Sequence, residues 1–373
     1  VTRQDTGVWH VPVCVEGPGI APTCTLLDKP TGEIALGSKC PAWVNPNVDG
    51  AGYYVSNLPP DVASRLLADG WKTLSRQERI ALLGDLVMLI DGGHADVATI
   101  LPLLPKLGTS GDPYLADIAV GRLERFSRMV ADDQRPAFAK LVRDTVGRLG
   151  AKLGWTPRDK EPLGEAKLRG RVMSLLAVEG DDARARDTAL ALARRWILDP
   201  KNVVESMWSP LLATAIRADA ENIFPLLAAK LETTTDRVQQ RTIYAALAGA
   251  RNGEHLARAL AMLDGSGSIA VEKIGLARVL PETVELQSLR FDFLRDRKDD
   301  LLKRLPRDYA KSVLAWVCSA SRRDEVAAFL KSLAANPDIG NIPVDHETEQ
   351  MDLCIARHAA QAPALAKFLA GRK

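Results

Sequence analysis

The sequence lacks an excess of charge of either sign: 49 Lys and Arg stand against 47 Asp and Glu, for a formal charge of +2. No global field is available to hold a polyanion through counterion release, so nucleic acid is not expected as a partner. Long hydrophobic runs are lacking too, because Arg, Lys, Asp or Glu interrupts every stretch before it reaches the roughly 18 to 20 apolar residues of a membrane span. No signal-peptide core follows the first residue, which is Val1 and not Met, and the opening reads as an excised piece of a longer chain. What is present is 46% hydrophobic residues in 373, enough for a large core and for about two domains at roughly 100 to 200 residues each.

Catalytic signatures are equally sparse. The histidines are His10, His94, His255, His346 and His358, and no two have the i, i+4 spacing that presents a pair of imidazoles to zinc on one helical face. His346-Glu347 opens like a zincin helix, but Gln350 stands where the second His belongs, so His346 reads as a polar residue near a helix start. No P-loop and no nucleophile elbow occurs, and Gly265-Ser-Gly267 sits between helices, without the strand-to-helix turn of a phosphate cradle. The pairs Asp132-Asp133, Asp181-Asp182 and Asp299-Asp300 fall at expected helix starts, where carboxylates suit the macrodipole.

The hydrophobic period changes near residue 60. Before it, Val11, Val13 and Val15 alternate with other residues up to a Gly/Pro turn, and Thr23 to Leu27 returns. Two more strands are expected at Ala42 to Val44 and Gly52 to Val55, giving a sheet too small to stand alone. From Pro59 onward the period is 3.6. Ser75 and Glu78 form a capping box, Ile80, Leu83, Val87 and Ile90 share a face, and Gly92-Gly93 closes the helix. Further starts are expected at Pro60, Asp112-Pro113, Gln134, Pro162, Asp236, Lys298, Arg307 and Pro363, among others. The reading is a mainly α protein with a β domain at residues 1–58 and a curved array of stacked helical hairpins at 59–373. No fixed-period repeat consensus is visible.

Cys14, Cys24 and Cys40 crowd into the β segment, whereas Cys318 and Cys354 sit among apolar residues and read as core thiols. Cys14 and Cys24 flank the Pro18-Gly19 turn almost symmetrically, so a cross-strand disulfide is expected, with Cys24 and Cys40 as the competing pair. The three lack the short knuckle of a structural zinc site. A disulfide implies an oxidising compartment, periplasmic or extracellular.

Several segments, taken in order, carry a resemblance. Val8-Trp-His-Val-Pro-Val13 is similar to a W-x-(I/V)-P-V strand. Trp43-Val-Asn-Pro-Asn47 with Gly50-Ala-Gly-Tyr-Tyr54 is similar to an N-x-x-G-(Y/F)-(Y/F)-R-V segment, with Val55 where Arg is usual. Leu74 to Arg79, with Leu83 and Asp85, is similar to an L-x-x-x-(D/E)-R-x-x-L-x-x-D helix. Lys167-Leu-Arg169, Glu349 to Ala356 and Phe368-Leu369 look like later helices of the same group. Together they resemble the C-terminal half of the zinc-dependent aminopeptidases of the alanyl, puromycin-sensitive and endoplasmic-reticulum type, most closely the bacterial members. The resemblance implies a small β-sandwich followed by a helical superhelix related to HEAT and armadillo arrays. It also implies that the zinc and the catalytic machinery lie in an upstream domain of the same polypeptide, with no cofactor in this chain. The helical domain would then enclose the chamber that receives peptide substrates, with Arg304 and Arg307 placed to pair with a peptide carboxylate. The competing assignment for both arginines is a helix end or solvent. The competing function is a stand-alone helical-repeat scaffold that binds another protein on its concave face.

Overall fold

The structure, a computed structural model, describes residues 9–336 and 344–372, without the side chain of Val313. Val1 and Val8 lie outside the described residues. The chain divides into two compact units between Leu103 and Leu104.

The first unit opens with an antiparallel hairpin, β1 (Val11–Gly17) and β2 (Ile20–Leu27), in which Cys14 stands opposite Cys24. Gly19, at φ +73, takes the left-handed turn position that side chains avoid. The other two expected strands do not form. Among the described residues the sheet is this hairpin alone, with a single bridge from Glu16 to Asn45, and so it is no sandwich. The reason lies in the loop that follows. The Asn47 side chain accepts from the Gly52 N–H at 2.7 Å, the Tyr54 hydroxyl donates to the Pro46 carbonyl at 2.6 Å, and Asp49 turns the chain at φ 58. Side chains thereby engage the backbone groups that a strand ladder would have used.

Helices α1 (Pro60–Ala68) and α2 (Arg76–Asp91) complete the packing, with Leu66 and Leu74 buried against Trp43. The Ser75/Glu78 capping box forms in full: the Ser75 hydroxyl accepts from the Glu78 N–H, and the Glu78 carboxylate accepts from the Ser75 N–H. Here the two resembling motifs meet. Asn45 donates through Nδ2 both to Glu78 at 2.8 Å and to Glu16 at 3.1 Å, while the Asp49 N–H donates to Glu78 at 2.9 Å. Burial pushes the Glu16 carboxyl above its ordinary range. Burial acts on Glu78 in the same direction, but the donors from Ser75 and Asp49 outweigh it and hold that carboxyl below the ordinary range. Asp85, buried on the same helix, accepts from the Ser56 N–H at 2.9 Å, yet desolvation keeps its carboxyl raised.

The second unit has helices and no strand among its described residues. Its helices are α3 (Leu104–Gly108), α4 (Pro113–Phe126), α5 (Arg135–Leu153), α6 (Leu163–Val178), α7 (Ala183–Leu198), α8 (Trp208–Ala218), α9 (Ala220–Thr233), α10 (Arg237–Leu247), α11 (Gly253–Ala261), α12 (Ile274–Arg278), α13 (Val284–Asp296), α14 (Lys298–Arg304), α15 (Arg323–Ala334) and α16 (Val344–Ala370). Neighbours in sequence pack on one another: α6 lies against α5, α7 and α8, and α15 against α16. Phe126, Phe138, Trp196, Phe224 and Phe291 are fully buried between them. At one crossing, a Cβ added to Gly108 would stand 2.1 Å from the Thr145 carbonyl oxygen, so α3 and α5 approach where only glycine fits.

Three details differ from the sequence reading. Helix α8 begins at Trp208 behind Met207 and has no side-chain cap to announce it. Pro363, expected to start a helix, lies inside α16, whose buried Met351, Leu365 and Leu369 hold one continuous element through the proline. Arg307 opens a 3₁₀ helix ending at Val313, so Trp316 stands in irregular backbone and not on a helix.

Candidate functional site

The second unit encloses a cavity of about 320 Å³. Helix α4 contributes Glu124 and Arg125 to one side, with Arg128 just beyond its end, and α13 contributes Gln287, with Glu282 just before it. The irregular segment after Val313 supplies Trp316 and Cys318, and α16 supplies Cys354, Arg357 and His358.

Each wall is fixed from behind. The Gln287 side chain accepts from the Cys318 N–H at 2.9 Å and donates to the Pro281 carbonyl at 3.2 Å. Arg290, buried on α13, donates to the Ala277 carbonyl through Nε at 2.7 Å and to the Leu314 carbonyl at 3.3 Å. Desolvation pulls its guanidinium down to about 10, which still leaves it charged at neutral pH.

Behind Glu282 lies a charge network built from four parts of the chain. Glu179, whose side chain is only 3% exposed, accepts from Arg135 at 3.2 Å and from Arg217 at 3.4 Å, and pairs closely with Arg251. Arg251 in turn reaches Glu282 through Nε at 2.6 Å, and Arg217 pairs with the same carboxylate. Burial lowers the Arg217 guanidinium. It acts on Arg251 in the same direction, but Glu282 and Glu179 outweigh it and raise Arg251 above the ordinary arginine range. On the opposite wall, Arg171 holds Glu124 by two bonds, at 3.0 and 2.6 Å. Both cavity carboxylates are therefore neutralised from outside, while Arg128 is exposed and forms no ion pair among the described residues. The arrangement suits an anionic group beside an aromatic wall.

The arginines singled out from sequence lie elsewhere. Arg304 donates to the Gly267 carbonyl at 2.9 Å and to Asp300 at 2.7 Å, and its side chain is 12% exposed. Arg307 is exposed and has its own interactions at the start of the 3₁₀ helix. Neither lines the cavity. Cys14 and Cys24 are joined at an S–S distance of 2.04 Å, and Cys40 is exposed and free. Cys318 and Cys354, read as separate core thiols, are instead joined at 2.08 Å, because α16 brings Cys354 to within 5.7 Å, Cα to Cα, of Cys318. Arg169, noted in the Lys167-Leu-Arg169 segment, is wholly buried: it caps the Leu153 and Gly154 carbonyls and pairs with Glu161. Among the described residues no group of three or more His, Cys, Asp or Glu is placed to hold a metal ion. No described helix is long and apolar enough to cross a membrane.

A family profile described as ERAP1-like C-terminal domain matches residues 43–342. The chain belongs to that family. The ERAP1-like match begins at Trp43, beyond the hairpin, and ends before α16, which supplies one cavity wall. Aminopeptidase M1 of Arabidopsis thaliana is 24% identical over 228 residues, which cover 59% of this chain and 25% of that protein. Aminopeptidase N of Lactococcus lactis subsp. lactis (strain IL1403) is 27% identical over 147 residues, 38% of this chain and 17% of that protein. The matched part of the chain thus spans a quarter or less of either relative. The cavity residues Arg125, Arg128 and Arg357 have no signature in the sequence to mark them.

Proposed function

We propose that this chain is the non-catalytic C-terminal region of a bacterial zinc-dependent aminopeptidase, and that it closes the substrate chamber and positions or limits peptides there. The family match over residues 43–342 carries this reading. In it, residues 59–373 form a superhelix of HEAT- and armadillo-like hairpins that follows a smaller domain at 1–58 in sequence, and the upstream catalytic domain of the same polypeptide is the partner. In this reading zinc belongs to that upstream domain. A periplasmic or extracellular location is supported by the two disulfides.

Within this reading, the cavity between α4, α13 and α16 receives the carboxylate end of a peptide whose amino end lies at the distant zinc. Arg128 is the favoured anchor, and Trp316 the apolar wall. Arg307 remains a second proposed contact, whereas Arg304 has its guanidinium committed to Asp300 and the Gly267 carbonyl. The test uses the polypeptide that includes the catalytic region. Arg128→Ala is expected to lower kcat/KM for peptides by roughly five- to a hundredfold, the loss of one charge-assisted bond, and to leave single-residue arylamides unchanged. Equal losses on both substrate types, or none on either, would reject the cavity as the anchor.

A further inference from the structure

The Cys318–Cys354 disulfide stands in the wall of the cavity itself, with both residues half-buried and facing its space. It joins two elements of very different anchorage. Cys318 belongs to a segment tied to α13 through Gln287 and Arg290. Cys354 belongs to the N-terminal half of α16, where Met351 is the sole buried residue from Val344 to His358. The C-terminal half of the same helix is held by buried Gln361, Leu365 and Leu369. Besides the disulfide, the N-terminal half has the paired bonds of Arg323 to Asp352, at 2.8 and 2.9 Å, an interaction of Arg357, and the packing of α15 against α16. Arg323 and Asp352 are both partly exposed to solvent, where such pairs contribute little. A helix end with one buried side chain, polar contacts near solvent and one crosslink belongs to the low-stability part of a fold, and the crosslink governs its local opening.

We propose that Cys318–Cys354 is a redox latch on this cavity: a small dithiol that enters the cavity reduces it and frees the N-terminal half of α16 from the Trp316 wall. One thiolate of the dithiol attacks a protein sulfur, and the other protein sulfur leaves as a thiolate and takes up a proton. The second dithiol sulfur then displaces the first protein sulfur from the mixed disulfide. Two electrons pass from the dithiol to the protein, which ends with two thiols while the dithiol ends as a cyclic disulfide. Reoxidation closes the wall again. The latch concerns the wall alone and holds whatever the cavity receives.

The test treats the full chain with dithiothreitol, maps released thiols by alkylation and mass spectrometry, and follows amide hydrogen exchange. Once Cys318 and Cys354 are reduced, exchange across residues 344–358 is expected to accelerate about tenfold or more, while residues 363–372 and helices α6 to α8 keep their protection. The Cys14–Cys24 pair is also open to reductant, so the same comparison is made in a Cys14→Ser, Cys24→Ser background. The double variant Cys318→Ala, Cys354→Ala is expected to show the fast exchange without reductant. If that variant does not fold, the wild-type time course decides, because exchange at 344–358 must rise in step with thiol release at Cys318 and Cys354. Unchanged exchange after complete reduction overturns the latch, and so does loss of protection throughout the second unit, which would make the bond a structural staple.

Discussion

The pair Glu16 and Glu78 offers a test in which two chemically identical substitutions should have opposite effects. Glu78 accepts three hydrogen bonds, from the Ser75 N–H at 2.7 Å, the Asn45 Nδ2 at 2.8 Å and the Asp49 N–H at 2.9 Å. A bond to a carboxylate contributes about 1.5–3 kcal/mol against about 0.5–1.5 for a neutral one, so Glu78→Gln should cost about 2–4 kcal/mol near neutral pH, with one donor left facing an amide NH₂. Glu16 makes one bond there, to Asn45 at 3.1 Å, and a glutamine oxygen can keep it. Its acidic neighbours Glu78 and Asp49 oppose its charge, so Glu16→Gln should stabilise the protein by about 1 kcal/mol near pH 8. The linkage has two signs. Burial raises Glu16, so its contribution is present below the ordinary glutamate range near 4.5 and is lost as pH rises through its higher folded value. Glu78 is lowered by its donors despite burial, so its contribution is present above that range and is lost as pH falls through its lower folded value. Stability should therefore peak between the two folded values, where Glu16 is protonated and Glu78 ionised. Urea unfolding between about pH 3.5 and 8, followed for wild type and both variants, measures this directly. If both substitutions shift stability in the same direction at pH 8, or if Glu16→Gln leaves the pH profile unaltered, the opposed roles of the two carboxylates are refuted.

Other perturbations give further checks. Glu179→Gln should cost about 3–5 kcal/mol in urea unfolding, because Arg217 and Arg251 then share Glu282 alone and Arg135 keeps only Asp132, at 3.9 Å, and a loss below about 1 kcal/mol would mean that solvent already screens the cluster. Gly108→Ala should lower the melting temperature, with a loss of about 1–3 kcal/mol from forcing α3 off the Thr145 carbonyl, and wild-type stability would show that the helices yield freely there. Asp85→Asn should remove the fall in stability that its raised carboxyl imposes as pH rises through its folded value, which a pH series of thermal melts would reveal as a flatter profile above that point.

What the sequence disclosed, and what it hid, follows from how far apart the interacting residues are. Local signals were legible. Ser75 and Glu78 announced a helix start because both halves of a capping box lie within one turn, and Asp112 before Pro113 did so because its carboxylate accepts from the Tyr114 N–H at 2.8 Å. Helix α8 stayed hidden because Met207 has no oxygen with which to cap it, and the start of a helix at Pro363 was misread because proline suits both a first turn and an unusually well-anchored interior. The two missing strands failed for a local reason that only the structure displays: Asn47 captures the Gly52 backbone before a ladder can. Glu179, Arg217, Arg251 and Glu282 come from the end of α6, from α8 and from two loops, and no spacing rule connects them. The Cys318–Cys354 link was hidden for the same reason, since apolar neighbours suit a core thiol and a disulfide half equally well.

Near-zero net charge does not decide what a cavity binds. At physiological ionic strength charges beyond about 8 Å are screened, so a formal +2 spread over the whole chain has little effect on a group inside the α4, α13 and α16 walls. Local pairing matters more. Each carboxylate that faces this cavity is already engaged, Glu124 by Arg171 and Glu282 by Arg217 and Arg251, and those partners approach from outside the lining. A further cation such as Arg128 therefore meets neutralised walls and not acidic ones. At about 4 Å and an effective dielectric near 20, a ligand carboxylate beside it would gain about 4 kcal/mol before desolvation. Removing the charge of Glu179 would loosen two of the arginines that restrain Glu282, which is how a buried residue absent from the lining comes to set the charge a ligand meets.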